Sequence, residues 1–200
     1  MESRLELDKK EVYSGSVWVQ KKSFRIALIS SFSALAVVLG YALAIPNVEL
    51  FTLMIFLGGI ILGKINGSII GLISSMIYYF FNPWGPPTDL ILYIYQIIHY
   101  SMTGMIGGYV QNFLSKKKYF KPKEDLYIFR IMLIFGFIGA SITFIYDIIS
   151  TIIPALLYSY NFIILYIGGI IFTTTHLIGN TLGFVFILPG LVSLLYKLLY

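Results

Sequence analysis

Long apolar runs alternate with short polar breaks along almost the whole chain. A polar stretch, residues 1–23, precedes an apolar run from Phe24 to Ile45, which has about the 20 residues that a helix needs to cross a bilayer. The run ends in Pro46-Asn47-Val48-Glu49. Leu50 to Gly63 returns to Lys64, Asn66 and Gly67 read as a tight turn, and Ile69 to Phe81 leads out to "FFNPWGPPTDL". Leu90 to Leu114 comes back to "SKKKYFKPKED", and Leu126 to about Ile149 goes out again. The rest can be divided in two ways. Either a loop over Pro154 to Asn161 precedes one long helix from Phe162 to Lys197, or the chain turns at "TTTH" and makes seven spans. The second division leaves an inner turn without Lys or Arg, so the first is preferred. The expected fold is an all-α integral membrane protein, a six-transmembrane-helix bundle with both termini cytoplasmic. Residues 1–23 form a cytoplasmic polar segment and 24–200 the membrane domain.

Composition supports this reading. The chain is 58% hydrophobic and 12% charged, with a mean hydropathy of +0.86, far from the quarter-charged balance of soluble domains. The net charge of +5 would suggest nucleic acid if its location were ignored. The 14 Lys and Arg instead gather before the first run, at Lys64, between Lys116 and Arg130, and at Lys197. Such segregation follows the positive-inside rule and fits anionic lipid headgroups, not nucleic acid. Ala42-Leu43-Ala44 resembles a cleavage site, but Ile45-Pro46 follows a run of full span length, so the run is expected to remain in the protein. With no Cys, disulfides and thiolate chemistry are excluded.

The acidic groups away from the basic clusters are the candidate ligand contacts, because charge at membrane depth is rare. They are Glu49, Asp89 and Asp147, and no Lys or Arg accompanies them. Gln96 and Thr103 follow Asp89 at seven-residue steps and make a polar stripe expected to face the bundle interior. His176 and Asn180 share a helical face, with Thr173 a turn earlier. His99 reads as a packing histidine. His99 and His176 lack partners at metal-ligand spacing, so no metal is expected. Tyr78, Tyr79, Trp84, Tyr93, Tyr146, Tyr158 and Tyr160 fall toward one side, as an interfacial belt or as walls for a flat heteroaromatic ligand. The prolines of "FFNPWGPPTDL" would hold Asn82 and Trp84 over the bundle mouth as a lid. No catalytic set emerges; an intramembrane enzyme or a stand-alone carrier or channel is the alternative, needing paired catalytic groups or charges through the midplane.

In the first run, Ala36, Gly40 and Ala44 form one small-residue stripe and Ser30 with Ala34 another; such stripes let helices approach closely. Four stretches together resemble the substrate-binding S component of energy-coupling-factor (ECF) vitamin transporters: "IALISSFSALAVVLGYALAIPNVEL", "FLGGIILGKINGSIIGLISSMIYYFFNPWG", "GFIGASITFIYDIIST" and "HLIGNTLGFVFILPGL". The resemblance implies a six-helix binding protein of a prokaryotic cell membrane, with a vitamin site near the outer face. It implies docking onto a coupling transmembrane subunit carried by two ATPases, with the vitamin as substrate and no cofactor. It places Asn47 and Glu49 in the outer loop, and Asn180 on the family's last-helix asparagine. Ser30 and Ala34 fall on the family's Ala-x-x-x-Ala docking motif, with serine for the first alanine. The chain carries no G-x-x-x-x-G-K-[ST] loop and cannot hydrolyse ATP alone. The vitamin itself is left open.

Overall fold

The computed structural model describes residues 19, 21–42, 49–81 and 89–200. Among these there are seven helices and no strand: α1 (Lys22–Ala42), α2 (Phe51–Leu62), α3 (Lys64–Phe80), α4 (Leu90–Leu114), α5 (Phe129–Leu157), α6 (Phe162–Gly168) and α7 (Ile170–Leu199). A π-helical stretch, Gly183–Ile187, lies within α7. Three of the helices, α1, α5 and α7, are long and apolar enough to cross a membrane.

α2 is the central helix. Every residue from Phe51 to Ile61 is buried, as expected of a helix that is apolar all round. Glycines set how closely α4 approaches α2 and how closely α3 and α4 approach each other. A Cβ on Gly59 would strike the Gly104 carbonyl, and one on Gly71 would strike the carbonyl of Tyr100. Without side chains at these points the backbones touch, which is how helices associate where no hydrophobic force drives them together. α5 and α7 pack on the other side of α2. Phe56 of α2 meets Phe184 of α7 at 5.1 Å and Phe135 of α5 at 6.5 Å between ring centroids.

Three expected boundaries move. The turn between α2 and α3 falls at Gly63, not at Asn66-Gly67. Gly63 has φ 86°, a left-handed backbone that glycine adopts without Cβ strain. Asn66 still serves the corner from inside α3, because its side-chain amide donates to the Leu62 carbonyl at 2.8 Å. The second shift concerns α5, which runs through Pro154 to Leu157. Its end is set by Ser159, which has φ 55°, with the Tyr160 amide donating back to the Ala155 carbonyl at 2.9 Å. Third, the long last helix expected from Phe162 is interrupted at Gly169, giving the seven-residue α6 and then α7. Asn161 caps α6, accepting from the amides of Ile163 and Ile164. "TTTH" lies inside α7, so the chain does not turn there. The α4 boundaries, Leu90–Leu114, coincide with the run read from sequence.

The helices sort the charges, and α7 runs antiparallel to α5, with His176 beside Asp147 and Ser193 beside Glu124. One end carries Lys22, Arg25, Lys64 and the loop from Ser115 to Ile128; there the Ser193 hydroxyl donates to the Glu124 carbonyl at 2.7 Å and the Tyr200 hydroxyl to the Ile61 carbonyl at 2.6 Å. The opposite, acidic end carries Glu49 before α2 and Asp89 before α4. Ala36 and Gly40 of α1 pack inward, whereas Ser30 and Ala34 face outward.

Candidate functional site

Toward the acidic end, four parts of the chain bring polar side chains together: Glu49, two residues before α2, and one face each of α4, α5 and α7. Glu49 sits where α2 begins. Its carboxylate accepts from the Thr52 amide at 2.9 Å and the Thr52 hydroxyl at 2.6 Å. A carboxylate at a helix N-terminus satisfies free amides and meets the positive end of the helix dipole.

His176 of α7 lies between two acids. Its Nδ1 is 2.8 Å from Oδ1 of Asp147 on α5, and its Nε2 is 3.6 Å from Oε1 of Glu49. All three side chains are nearly excluded from solvent. Histidine thus supplies the cationic partner, when protonated, for acids that no Lys or Arg accompanies in the sequence. One turn along α7, the Asn180 amide donates to Glu49 Oε1 at 3.2 Å and to the Thr143 hydroxyl at 3.1 Å. The four-residue step puts His176 and Asn180 on one face of the helix. Burial pushes the Glu49 carboxyl up, but His176 and the Thr52 hydrogen bonds together hold it below its ordinary range.

An aromatic wall adjoins these groups. The hydroxyls of Tyr79 (α3) and Tyr146 (α5) are 2.8 Å apart, and Gln96 (α4) donates its amide N–H to Tyr146 at 3.0 Å. Tyr146 lies against the rings of His176, His99, Tyr100 and Tyr95. Tyr41 donates to the carbonyl of Tyr78, and the Tyr78 ring stacks on Phe51 at 4.4 Å. His99 is held among these rings, with the Tyr95 hydroxyl 3.5 Å from Nδ1.

Of the residues singled out from sequence, Glu49, Gln96, Asp147, His176 and Asn180 therefore meet in one place, and Gln96 and Thr103 are both buried as the stripe implied. Asp89 stands at the start of α4. Its Oδ1 accepts from the amides of Ile91 and Leu92, capping α4. Asn47, Asn82 and Trp84 lie outside the described residues. The sequence reading passed over Thr52, Thr143, Tyr95 and Tyr100. Thr143 stands four residues before Asp147, a helical step that could have found it. Thr52 follows Glu49 by three, the spacing of an acid that caps a helix. Among the described residues no cluster of His, Asp and Glu is arranged to hold a metal ion.

The cluster is a buried set of polar side chains bordered by aromatic rings, assembled from segments remote in sequence. It has the parts of a small-molecule site: an apolar and aromatic lining with a few convergent polar groups. Three of its acceptors, Gln96 Oε1, Asp147 Oδ2 and Asn180 Oδ1, are buried without a hydrogen-bond partner among the described residues.

Comparison with curated proteins and with solved structures found no match. The family described as "ECF-type riboflavin transporter, S component" matches residues 21–174. The matched stretch includes Glu49, Gln96 and Asp147 and stops before His176 and Asn180. Covering more than half of the chain, and joined to an all-helical structure with membrane-length apolar helices, that match identifies it: the chain belongs to the family of S components, the substrate-binding membrane subunits of ECF vitamin transporters.

Proposed function

We propose that this S component captures riboflavin at the acidic end of the bundle and passes it inward with a coupling membrane subunit and two ATPases. The family description names the flavin. The observation that carries the reading is the convergence of Glu49, Gln96, Asp147, His176 and Asn180 beside the rings of Tyr79, Tyr95, Tyr100 and Tyr146. A flat heteroaromatic ring stacks well on such side chains, and the polar groups fix its orientation. The vitamin is cargo, not a cofactor.

In this reading the bundle crosses a prokaryotic cell membrane six times, through α1 to α5 and α7, with both termini cytoplasmic. The segregation of Lys and Arg supports that orientation, putting the basic end inside and the cluster outside. Asn47 and Glu49 belong to the outer loop. Asn82 and Trp84, outside the described residues, are kept as substrate contacts on the sequence reading, and Asp89 caps α4. Ser30 and Ala34 form the docking face for the coupling subunit, where small side chains permit close helix approach. An enzyme reading has less support, because the family is one of transporter binding components.

The test is direct. The chain is purified in detergent from cells grown in rich medium, denatured, and the released small molecules are identified by mass spectrometry. Riboflavin in stoichiometric amount is the expected result. A different vitamin would move the substrate assignment. An empty protein that also fails to bind added riboflavin would remove the flavin reading.

A further inference from the structure

We infer that Lys64 and Lys117, seated on the exposed rings of Tyr109 and Phe113, form a site for one anionic phospholipid at the basic end of the bundle. The inference rests on the membrane embedding of the chain and is independent of the flavin reading.

Backbone contacts place both lysines. α3 starts hard against α4, since a Cβ on Gly108 would strike the backbone nitrogen of Lys64. The Lys64 ammonium lies 5.1 Å from the centroid of the next ring along α4, Tyr109. Beyond Leu114 the chain folds back through a turn in which the Lys117 amide donates to the Leu114 carbonyl at 2.8 Å. The Lys117 ammonium lies 4.7 Å from the centroid of Phe113. Four residues separate the two rings, so they share one face of α4 about one helical turn, roughly 6 Å, apart. Both ammoniums are thus held over one short stretch of helix.

An ammonium on a ring keeps its outward N–H groups for another partner. Among the described residues neither lysine has a carboxylate. Glu124 of the adjoining loop pairs with Lys121, and Asp125 accepts from the Tyr127 amide. Two such cations held close together call for an anion. The rest of the face selects its kind. Tyr109 and Phe113 are each 53% exposed, and Met105 and Met102, also exposed, continue the same face away from the basic end. Cations at headgroup level beside an uncharged apolar track match a phospholipid in both halves. The positive field of this end draws anionic lipid in general; the seated pair holds one molecule in place.

The experiment titrates the full-length chain in detergent with dioleoyl phosphatidylglycerol and, separately, with dioleoyl phosphatidylcholine, counting bound lipid by native mass spectrometry. One phosphatidylglycerol should be retained on the order of tenfold more tightly than phosphatidylcholine. Lys64→Gln combined with Lys117→Gln should remove most of that preference. Lys118→Gln combined with Lys123→Gln takes the same charge from exposed positions of the same end. That control should keep the preference within about twofold, because charges off the site act only through a screened field. Equal retention of the two lipids by the unmodified chain would overturn the inference, whether or not the variants fold. Equal losses in the two double variants would leave only the general field and no site. Glycerol phosphate, which has the headgroup chemistry without acyl chains, should not displace the lipid. Displacement at comparable concentration would make this a site for a soluble phosphate and end the lipid assignment.

Discussion

Asp147 Oδ1 and His176 Nδ1 stand 2.8 Å apart although 29 residues separate them in the chain. Their contact ties α5 to α7, and Glu49 on the far side of the imidazole ties α7 to the start of α2. Removing one member strands the other as a buried polar or charged group, which costs about 3 kcal/mol or more. His176→Leu and Asp147→Leu should each lower the melting temperature of the detergent-solubilised protein. The double variant should fall by clearly less than the two single losses combined, because the partners share one interaction. Additive losses would show that the contact contributes little.

Glu49 gives a pH dependence. Its carboxyl lies below the ordinary value of 4.5 in the folded protein, so the contribution is present above that value and lost as the pH falls through the lower folded one. Melting temperatures of the unmodified protein should therefore drop on acidification below about 4.5, and the drop should be smaller in Glu49→Gln. Parallel curves for the two proteins would contradict this.

The close approach of α3 and α4 predicts a sharp steric limit. A Cβ on Gly104 would meet the Gly67 carbonyl, and backbone cannot step aside as a side chain can. Gly104→Ala should destabilise by about 2 kcal/mol, within the usual range for overpacking. Gly168→Ala is the control, since open space surrounds it, and it should leave the melting temperature nearly unchanged.

Docking has its own test on α1. Ala34 is exposed on α1 and makes none of the hydrogen bonds or ring contacts of the polar cluster. Ala34→Trp should abolish co-purification with a coupling membrane subunit and leave riboflavin affinity within about twofold, since a surface change off the site shifts little. Retained co-purification would move the docking face elsewhere.

Much of this molecule is written in local pattern. An apolar run bounded by Asp89 and Ser115 defines α4, because a capping carboxylate and helical continuity act over a few residues. The segregation of Lys and Arg, the inward Ala36–Gly40 stripe and the burial of Gln96 and Thr103 are likewise local properties of charge, size and period. The same locality misled the reading at three corners. Gly63 closes the α2–α3 turn where Asn66-Gly67 had the stronger turn composition. Pro154 continues a helix that Ser159 ends. Gly169 divides what reads as one apolar helix.

The acids, the histidine and the amide could be named from sequence because polar side chains stand out in an apolar run. That they form one cluster could not. Asn180 reaches Glu49 across 131 residues and Thr143 across 37, and no helical period connects such distances. Tyr95 and Tyr100 carry no signal in the sequence until the packing of α4 against α5 sets them beside Tyr146. Sequence alone determined a helical membrane protein, the segregation of its charges and the chemical types that a site would use. Tertiary packing decided which of them meet, because the glycine-to-backbone contacts around α2 fix how the helices stack and therefore which faces converge.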